Sequence, residues 1–183
     1  MKILSLIFGI LGVVLYLLCF QLKHAKSIIA CRVLSSLFYV LQYLLLFAFV
    51  GAAMDAAALV TSYIAYRRDT AFVKRHKIPI LILTNAAIVT VGILLYTSPI
   101  SLLAVAGVLF ESASNWMKKE KTIRLVSLPA VPCWLIYNLA AGAYGAAIGS
   151  FLALLSLISA MIRYSVAEKA EKQKAAPPTT TEV

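Results

Sequence analysis

Seven long apolar runs constrain this chain more than any other feature of its sequence. A helix needs about 20 apolar residues to cross about 30 Å of hydrocarbon, and each run approaches that length. The runs lack the polar alternation of an outer-membrane barrel, so helices are expected, because a helix satisfies its own backbone groups in lipid. The predicted spans, numbered 1 to 7, cover residues 3–20, 27–50, 52–66, 78–96, 100–116, 122–141 and 144–164.

The composition excludes a water-soluble globule. Apolar residues make up 62% of the 183 residues, against about 45–50% in soluble domains. Charged residues make up only 13%, which is too little to cover the surface of a globule of this size. The same hydrophobicity excludes a disordered chain. The remaining class is an all-α membrane protein that contacts the lipid bilayer.

The net charge of +10 lies on one side of the predicted bundle. All of the 17 lysines and arginines except Lys2, Arg32 and Arg124 end or follow an odd-numbered span, and the turns after even-numbered spans carry no base. The positive-inside rule then predicts a multi-pass protein of the bacterial inner membrane, with its amino terminus outside and its carboxyl terminus in the cytoplasm. Because orientation explains the basic face, no nucleic-acid partner is expected.

The sequence also contains an internal repeat. Residues 22–28 align with residues 117–123, and residues 43–53 align with residues 137–147, with one residue lost between the blocks. Spans 1 to 3 then correspond to spans 5 to 7, and span 4 is a connector that gives both triplets the same orientation. The predicted divisions are a first three-helix repeat (1–66), a basic cytoplasmic loop with the connector helix (67–99), a second three-helix repeat (100–164) and a partly disordered cytoplasmic tail (165–183).

One segment is similar to a known family. The stretch 133–138, Cys-Trp-Leu-Ile-Tyr-Asn, is followed by Gly142 and Gly145. It resembles the Cys-Trp-x-x-aromatic-Asn segment of the bacterial YgjV family of small inner-membrane proteins, and the resemblance covers nearly the whole chain. The family tends to carry His at the position of Gln42.

The arrangement of spans resembles a second group of proteins. The 3+1+3 pattern with the amino terminus outside is similar to the SWEET-type sugar transporters and the related PnuC-type vitamin transporters. The Pro-Gln pair of the PQ-loop members is absent here. These resemblances imply a SWEET-like fold of seven transmembrane helices with a solute pathway between parallel repeats.

Span 6 carries the main candidates for binding a solute. Trp134 and Asn138 are four residues apart and share one helix face, where a Trp ring stacks on a solute ring and Asn donates and accepts hydrogen bonds. The SWEET-type proteins use Trp and Asn in this manner. The alternative is a packed Trp and an Asn that bonds a neighbouring helix. The aligned residues of the first repeat, Val40 and Leu44, predict an asymmetric site. Further candidate binding residues are Asn85 and Gln42.

Two prolines and one carboxylate are candidate gating residues. Pro129 and Pro132 each remove an amide donor from span 6, which predicts a bend that acts as a hinge or as a purely structural kink. Glu111 is an ionisable group within span 5, where such a group needs a partner or water. Arg32 and Arg124 lie at similar depth, so Glu111 is expected either in a structural ion pair or as a proton-coupling or gating carboxylate. Asp55 is expected to be solvated at the outer end of span 3.

No catalytic or metal-binding constellation is present in the sequence. Cys19, Cys31 and Cys133 lack metal spacing, and His24 and His76 lie in basic loops without a matching carboxylate. We therefore expect neither an enzyme nor a metal or other cofactor. The predicted function is a transporter or facilitator of a small polar solute such as a sugar, nucleoside or vitamin. The alternative is a non-transporting scaffold, or a partner in assembly or stress, and a homo-oligomer is left open.

Overall fold

A computed structural model of the chain describes residues 2–45, 47, 49–140 and 144–175, and these form helices joined by short connections. The predicted turn around Gly142 and Ala143 and the end of the predicted tail, residues 176–183, lie outside the described residues. In chain order the helices are α1 (Lys2–Gln21), α2 (Ala25–Leu45), α3 (Phe49–Tyr66), α4 (Ala71–Arg75), α5 (Lys77–Leu94), α6 (Ser101–Asn115), α7 (Glu120–Ser127), α8 (Ala130–Ala140) and α9 (Tyr144–Ala175).

The prediction of an all-α protein is confirmed for the described residues, and five of their helical segments are long and apolar enough to cross a membrane. The predicted span 5 corresponds to α6, an apolar helix of only 15 residues. The predicted span 3 corresponds to α3, which carries Asp55 and is not among the five. The five segments are Ile3–Gln21, Ala25–Leu45, Lys77–Leu94, Glu120–Ala140 and Ala146–Ala167.

The distribution of side chains is that of a membrane protein. Large apolar residues are exposed along the outer faces of the helices, with Ile3, Ile82 and Leu94 among the most exposed. Serines, asparagines and arginines are buried instead, among them Ser112 and Asn115. A soluble monomer rarely exposes apolar patches of this extent, so the outer surface is suited to contact with lipid.

Six helical segments pack in a closed circuit. Helix α1 packs against α2 and α9, α2 packs against α3, α3 against α6, α6 against α8, and α8 against α9. Helix α5 lies outside this circuit, where it contacts α3 and α6. The interior of the circuit is therefore bordered by every long helix except α5.

The predicted span 6 is interrupted at Leu128 and Pro129, between α7 and α8. Pro129 has no amide hydrogen to donate to the carbonyl four residues earlier, so the helical ladder cannot continue through it. The Leu128 amide instead donates to the Leu125 carbonyl at 3.3 Å, which closes the end of α7 with a tighter turn. The expected bend is therefore present as a break of two residues.

Candidate functional site

A cavity lies inside the circuit of helices. It is lined mainly by hydroxyls, aromatic rings and two carboxylates, which is an unusual lining for the interior of a chain this apolar. The volume that water can occupy in this cavity is about 50 Å³, which is room for a few ordered waters. The lining residues are Tyr16, Ser35, Ser36, Tyr39, Tyr43, Asp55, Glu111, Val131, Trp134, Asn138, Ala146 and Ser150.

Most lining residues form pairs with a constant separation of 95 positions. Tyr16 and Glu111, which are 95 residues apart, bond each other directly. Shifting the bounds of α2 by the same number gives Glu120–Ala140, the bounds of the α7–α8 segment. Residues of the first and second halves therefore take matched places around the cavity. The pairs are Tyr16 with Glu111, Ser36 with Val131, Tyr39 with Trp134, Tyr43 with Asn138, and Asp55 with Ser150.

Two glycines show the same match in their packing. A Cβ atom at Gly12 would lie 3.2 Å from the Tyr39 ring, and one at Gly107 would lie 2.9 Å from Nε1 of Trp134. Each glycine thus lets a ring approach the backbone of the helix facing it. The separation of 95 holds through α2 and α8, so the counterparts of Trp134 and Asn138 are Tyr39 and Tyr43. The assignment to Val40 and Leu44 was wrong by one residue.

Glu111 is held by a group that donates a hydrogen bond to it. The Tyr16 hydroxyl donates to Oε1 of Glu111 at 2.6 Å, a short distance typical of a charge-assisted hydrogen bond. Glu111 and Trp134 both line the cavity. The Tyr16 hydroxyl therefore fixes a carboxylate at the same wall as a candidate binding residue.

Asp55 and Asn138 carry the unpartnered acceptors of the cavity. The half-buried Asp55 side chain lines the cavity, and none of the described residues donates a hydrogen bond to its carboxylate. Asn138 donates through Nδ2 to the Ser150 hydroxyl at 3.2 Å, and its Oδ1 is buried without a partner. A buried acceptor without a donor is costly, so Oδ1 of Asn138 is suited to a bound molecule or water, and the half-buried Asp55 carboxylate lines the same cavity.

Arg32 does not pair directly with Glu111. Its guanidinium donates to the Ser114 hydroxyl at 2.6 Å, to Oδ1 of Asn115 at 2.8 Å and to the Ser127 hydroxyl at 2.7 Å. Among the described residues no carboxylate lies within 4.0 Å of it. The expected ion pair is absent because these neutral acceptors surround the guanidinium, and Asn115 also donates to Ser62 at 2.8 Å. We call Arg32, Ser62, Ser114, Asn115 and Ser127 the arginine layer.

Arg124 is bound at the end of α1, so its expected pairing with Glu111 is also not formed. Its guanidinium donates to the carbonyls of Phe20 at 3.2 Å and Leu22 at 2.6 Å. It also lies over the Tyr164 ring, 4.0 Å from the ring centre. The carboxyl end of a helix carries unpaired carbonyls and partial negative charge, which a guanidinium satisfies.

A second arginine makes the matching contact at the end of α6. Arg68 donates to the carbonyls of Asn115 at 3.1 Å and Met117 at 2.6 Å. These acceptors lie 95 residues after Phe20 and Leu22, the acceptors of Arg124. Each half of the chain thus supplies an arginine that caps the first helix of the other half. We call these two sets of contacts the arginine clasps.

The other sequence-predicted residues lie outside the cavity lining. The Asn85 side chain accepts a hydrogen bond from Ser112 at 2.9 Å, which joins α5 to α6. The Gln42 side chain packs on Gly9 of α1. Pro129 and Pro132 flank the start of α8, next to Val131, which does line the cavity.

An exposed ion pair joins the start of α2 to the loop between α3 and α4. Lys26 and Asp69 approach to 2.8 Å, and both side chains are largely exposed. The hydrogen bond from Lys26, followed by its positive charge, holds the pKa of the Asp69 carboxyl below its ordinary value. The pair lies on the face that carries the basic loops.

Sequence reasoning missed Tyr16, Tyr39, Tyr43, Asp55 and Ser150. Tyr16, Tyr39 and Tyr43 become visible when the separation of 95, already present between residues 22–28 and 117–123, is applied to the predicted candidates Glu111, Trp134 and Asn138. Asp55 and Ser150 lie at the same separation, but neither was a candidate from which the other could be found. The sequence alignment shifted to a separation of 94 because it matched small and common residue types around Gly51 and Gly145.

Comparisons with known proteins agree with the membrane character of the fold. A family model described as a bacterial inner membrane protein, Imp-YgjV, matches residues 3–168. Neither a curated protein nor a solved structure matches the chain.

Proposed function

Because the chain belongs to the Imp-YgjV family of bacterial inner-membrane proteins, we propose that it carries a small polar solute across that membrane through its central cavity. The observation that supports this function is the polar cavity, which is bordered by all six segments of the closed circuit. Transport proteins built from repeats place their solute at the repeat interface, near the middle of the membrane.

The pathway lies between two parallel three-helix repeats. The first comprises α1, α2 and α3, the second comprises α6, the α7–α8 segment and α9, and α5 connects them in a SWEET-like arrangement of seven spans. Support comes from the matched lining pairs and from the packing circuit, which is unchanged when the two triplets are exchanged.

Trp134 and Asn138 are the residues that bind the solute. The indole ring offers a flat apolar face, and the amide offers an acceptor that lacks a partner. Tyr39 and Tyr43 supply the corresponding ring and hydroxyl groups from the first repeat. This combination of rings and hydrogen-bonding groups suits a sugar, a nucleoside or a vitamin-like molecule.

The arginine layer and the arginine clasps form a closed gate on the side of the basic loops. Arg32 lies one helical turn before Ser35 and Ser36, and Ser114 and Asn115 follow Glu111 on α6. The break at Pro129 lies directly after Ser127 of the layer. Breaking the layer while α8 pivots at Pro129 opens the cavity on this side.

The test is solute uptake by proteoliposomes containing the purified protein. Swelling in a panel of sugars, polyols, nucleosides and small amines reports any permeant solute by light scattering. We expect Trp134→Ala and Asn138→Ala to slow the uptake of the permeant solute at least tenfold. Ile136→Ala, on the exposed side of the same helix, is the matched control and should retain the wild-type rate.

Failure of this experiment favours the scaffold alternative. If neither swelling nor tracer uptake exceeds that of protein-free liposomes for any solute in the panel, transport is excluded and the polar interior serves only to join the helices. Rates equal in Trp134→Ala and Ile136→Ala would place the pathway outside this cavity.

The proposed orientation places the amino terminus outside and the carboxyl terminus in the cytoplasm. It is supported by the basic loops that follow odd-numbered spans. A green fluorescent protein fused to the carboxyl terminus should fluoresce, and alkaline phosphatase at the same position should be inactive. The reverse pattern would invert the orientation.

A further inference from the structure

The buried charges of the cavity region do not balance. Glu111 accepts a hydrogen bond from Tyr16, and its charge interacts with that of the buried Arg32 guanidinium. Arg124 is occupied at the end of α1. Asp55 is left without a cation, and the described lining residues include no Lys, Arg or His. A carboxylate within a membrane protein is expensive unless a positive charge or a proton accompanies it.

The unpartnered oxygens indicate that the missing group donates several hydrogen bonds. The Asn138 side chain is only 4% exposed and its Oδ1 has no donor. Asp55 has no donor among the described residues either, and no hydrogen bond joins these two side chains. A proton on Asp55 would neutralise the charge and supply a single O–H donor, which is fewer donors than the acceptors of Asp55 and Asn138 together can take. A primary ammonium has three N–H donors and a positive charge, and it answers both requirements.

The aromatic lining distinguishes an organic cation from a metal ion. Tyr39, Tyr43 and Trp134 all face the cavity, and ring faces attract ammonium groups electrostatically. A bare Na⁺ or Mg²⁺ instead requires a nearly complete shell of oxygen ligands. The lining supplies side-chain oxygens as well as rings, so the rings favour the organic cation and a titration with NaCl separates it from a metal ion.

We propose that the solute is a small primary amine, bound as its ammonium ion between the Asp55 carboxylate and Oδ1 of Asn138. This inference rests on the proposed transport function and names the chemical class of its solute. The aromatic side chains contact the ammonium group and the adjacent carbons.

The binding test uses Trp134 as the reporter. The chain has two tryptophans, so Trp116→Phe leaves Trp134 as the sole source of indole fluorescence. The purified full-length variant in lipid nanodiscs is titrated at pH 7 and constant ionic strength with ethanolamine and, separately, with ethylene glycol. The two probes have the same size and differ in carrying an ammonium or a hydroxyl group. We expect a saturable change with ethanolamine and none with ethylene glycol over the same range.

Replacing aspartate by asparagine in the cavity and, as a control, at an exposed position shows which carboxylate ethanolamine binding requires. Asp55→Asn should weaken ethanolamine binding at least tenfold, and Asp55→Glu, which keeps the charge, should restore most of it. Asp69→Asn removes an exposed carboxylate and should bind as the parent does. If Asp55→Asn does not fold, the comparison of the two probes and Asn138→Ala still test the proposal.

Several results would overturn the amine assignment. Equal responses to ethanolamine and ethylene glycol would indicate a neutral solute, and a saturable response to NaCl that depends on Asp55 would indicate a metal ion. A response to acid that Asp55→Asn abolishes, without any response to ethanolamine, would indicate a proton. Proteoliposome uptake of a neutral solute with no ethanolamine binding would refute the amine while the transport function stands. Absence of all uptake would refute the transport function itself.

Discussion

The two halves of the molecule face each other across the cavity with matched positions but different chemistry. In the first half, Tyr39 packs against Gly12, and in the second half Trp134 packs against Gly107. The carboxylates lie at unmatched positions, since Glu111 is paired with Tyr16 and Asp55 with Ser150. Under the proposed transport function, the matched packing sets the shape of the pathway and the unmatched polar groups set what it recognises.

The helices that carry these rings also differ. Helix α2 runs without interruption from Ala25 to Leu45, whereas its counterpart breaks between α7 and α8. The break follows Ser127, which accepts a hydrogen bond from Arg32 on α2 across the interior. One half therefore provides a continuous wall, and the other provides a wall that is interrupted where it meets the arginine layer.

The largest effect is expected when the two arginine clasps are compared. Arg124 is only 1% exposed and Arg68 is partly exposed, although both cap a first helix. Arg124→Met should lower the free energy of unfolding by about 3 kcal/mol, because buried carbonyls lose a charged donor. Arg68→Met should cost about 1 kcal/mol, since water replaces part of the lost contact. Denaturant unfolding in detergent micelles measures both, and equal losses would show that burial does not distinguish the clasps.

The second-largest effect is expected when the two glycines that pack against the aromatic rings, Gly12 and Gly107, are replaced by alanine. An added methyl group at Gly107 would lie 2.9 Å from the Trp134 indole, so the ring must move. At Gly12 the corresponding distance to Tyr39 is 3.2 Å, which a smaller shift relieves. Overpacking costs about 1–3 kcal/mol, and we expect Gly107→Ala to lie at the upper end and to displace Trp134 fluorescence in the Trp116→Phe background. A greater loss of unfolding free energy in Gly12→Ala than in Gly107→Ala would show that the Tyr39 ring, and not the Trp134 ring, is the more tightly packed of the two.

The break in the second half is tested by removing its proline. Pro129→Ala allows α7 and α8 to join, so we expect unfolding stability to be unchanged or higher while solute uptake slows about tenfold, equivalent to about 1.4 kcal/mol in the barrier. The control is Pro79→Ala, in the first turn of α5 and away from the cavity. Wild-type uptake in Pro129→Ala would make the break a structural kink without a role in gating.

The smallest effect is expected at the exposed Lys26–Asp69 pair. Its contribution requires ionised Asp69, whose pKa is lower in the folded protein than in the unfolded chain. The contribution is therefore present above the ordinary aspartate pKa and is lost as the pH falls through the lowered value. Asp69→Asn should leave the melting temperature unchanged at pH 7, because exposed pairs contribute little. A clear drop in melting temperature at pH 7 that disappears in acid would assign the pair a larger role.

Local patterns in the sequence predicted the features that depend on local chemistry. Apolar runs identify the helices because a helix in lipid needs nothing beyond its own backbone and apolar side chains. Pro129 marks the break because its effect acts on the helix that contains it. The spacing of Trp134 and Asn138 placed both on one helix face, and both do line the cavity.

Features that depend on which helices meet could not be predicted in this way. Arg124 caps carbonyls more than 100 residues earlier in the chain, so its partner is decided by packing of α7 against the end of α1. Arg32 carries no sequence signal for its three neutral acceptors, because Ser114, Asn115 and Ser127 are common residue types. The place of Asp55 in the cavity lining likewise depends on how α3 packs against α2 and α6.

The central claim, that the cavity between the two halves is a pathway for solute, is tested most directly by labelling a single cysteine within it. In a background with Cys19, Cys31 and Cys133 replaced, Ser150→Cys is exposed to a membrane-impermeant thiol reagent in right-side-out and in inverted membrane vesicles. Ile136→Cys, on the exposed apolar side of α8, and Lys23→Cys, in a basic loop, serve as the unreactive and reactive controls. We predict that Ser150→Cys reacts from at least one side of the membrane and is slowed by the permeant solute. Failure to react from either side, with Lys23→Cys labelled normally, would contradict the claim.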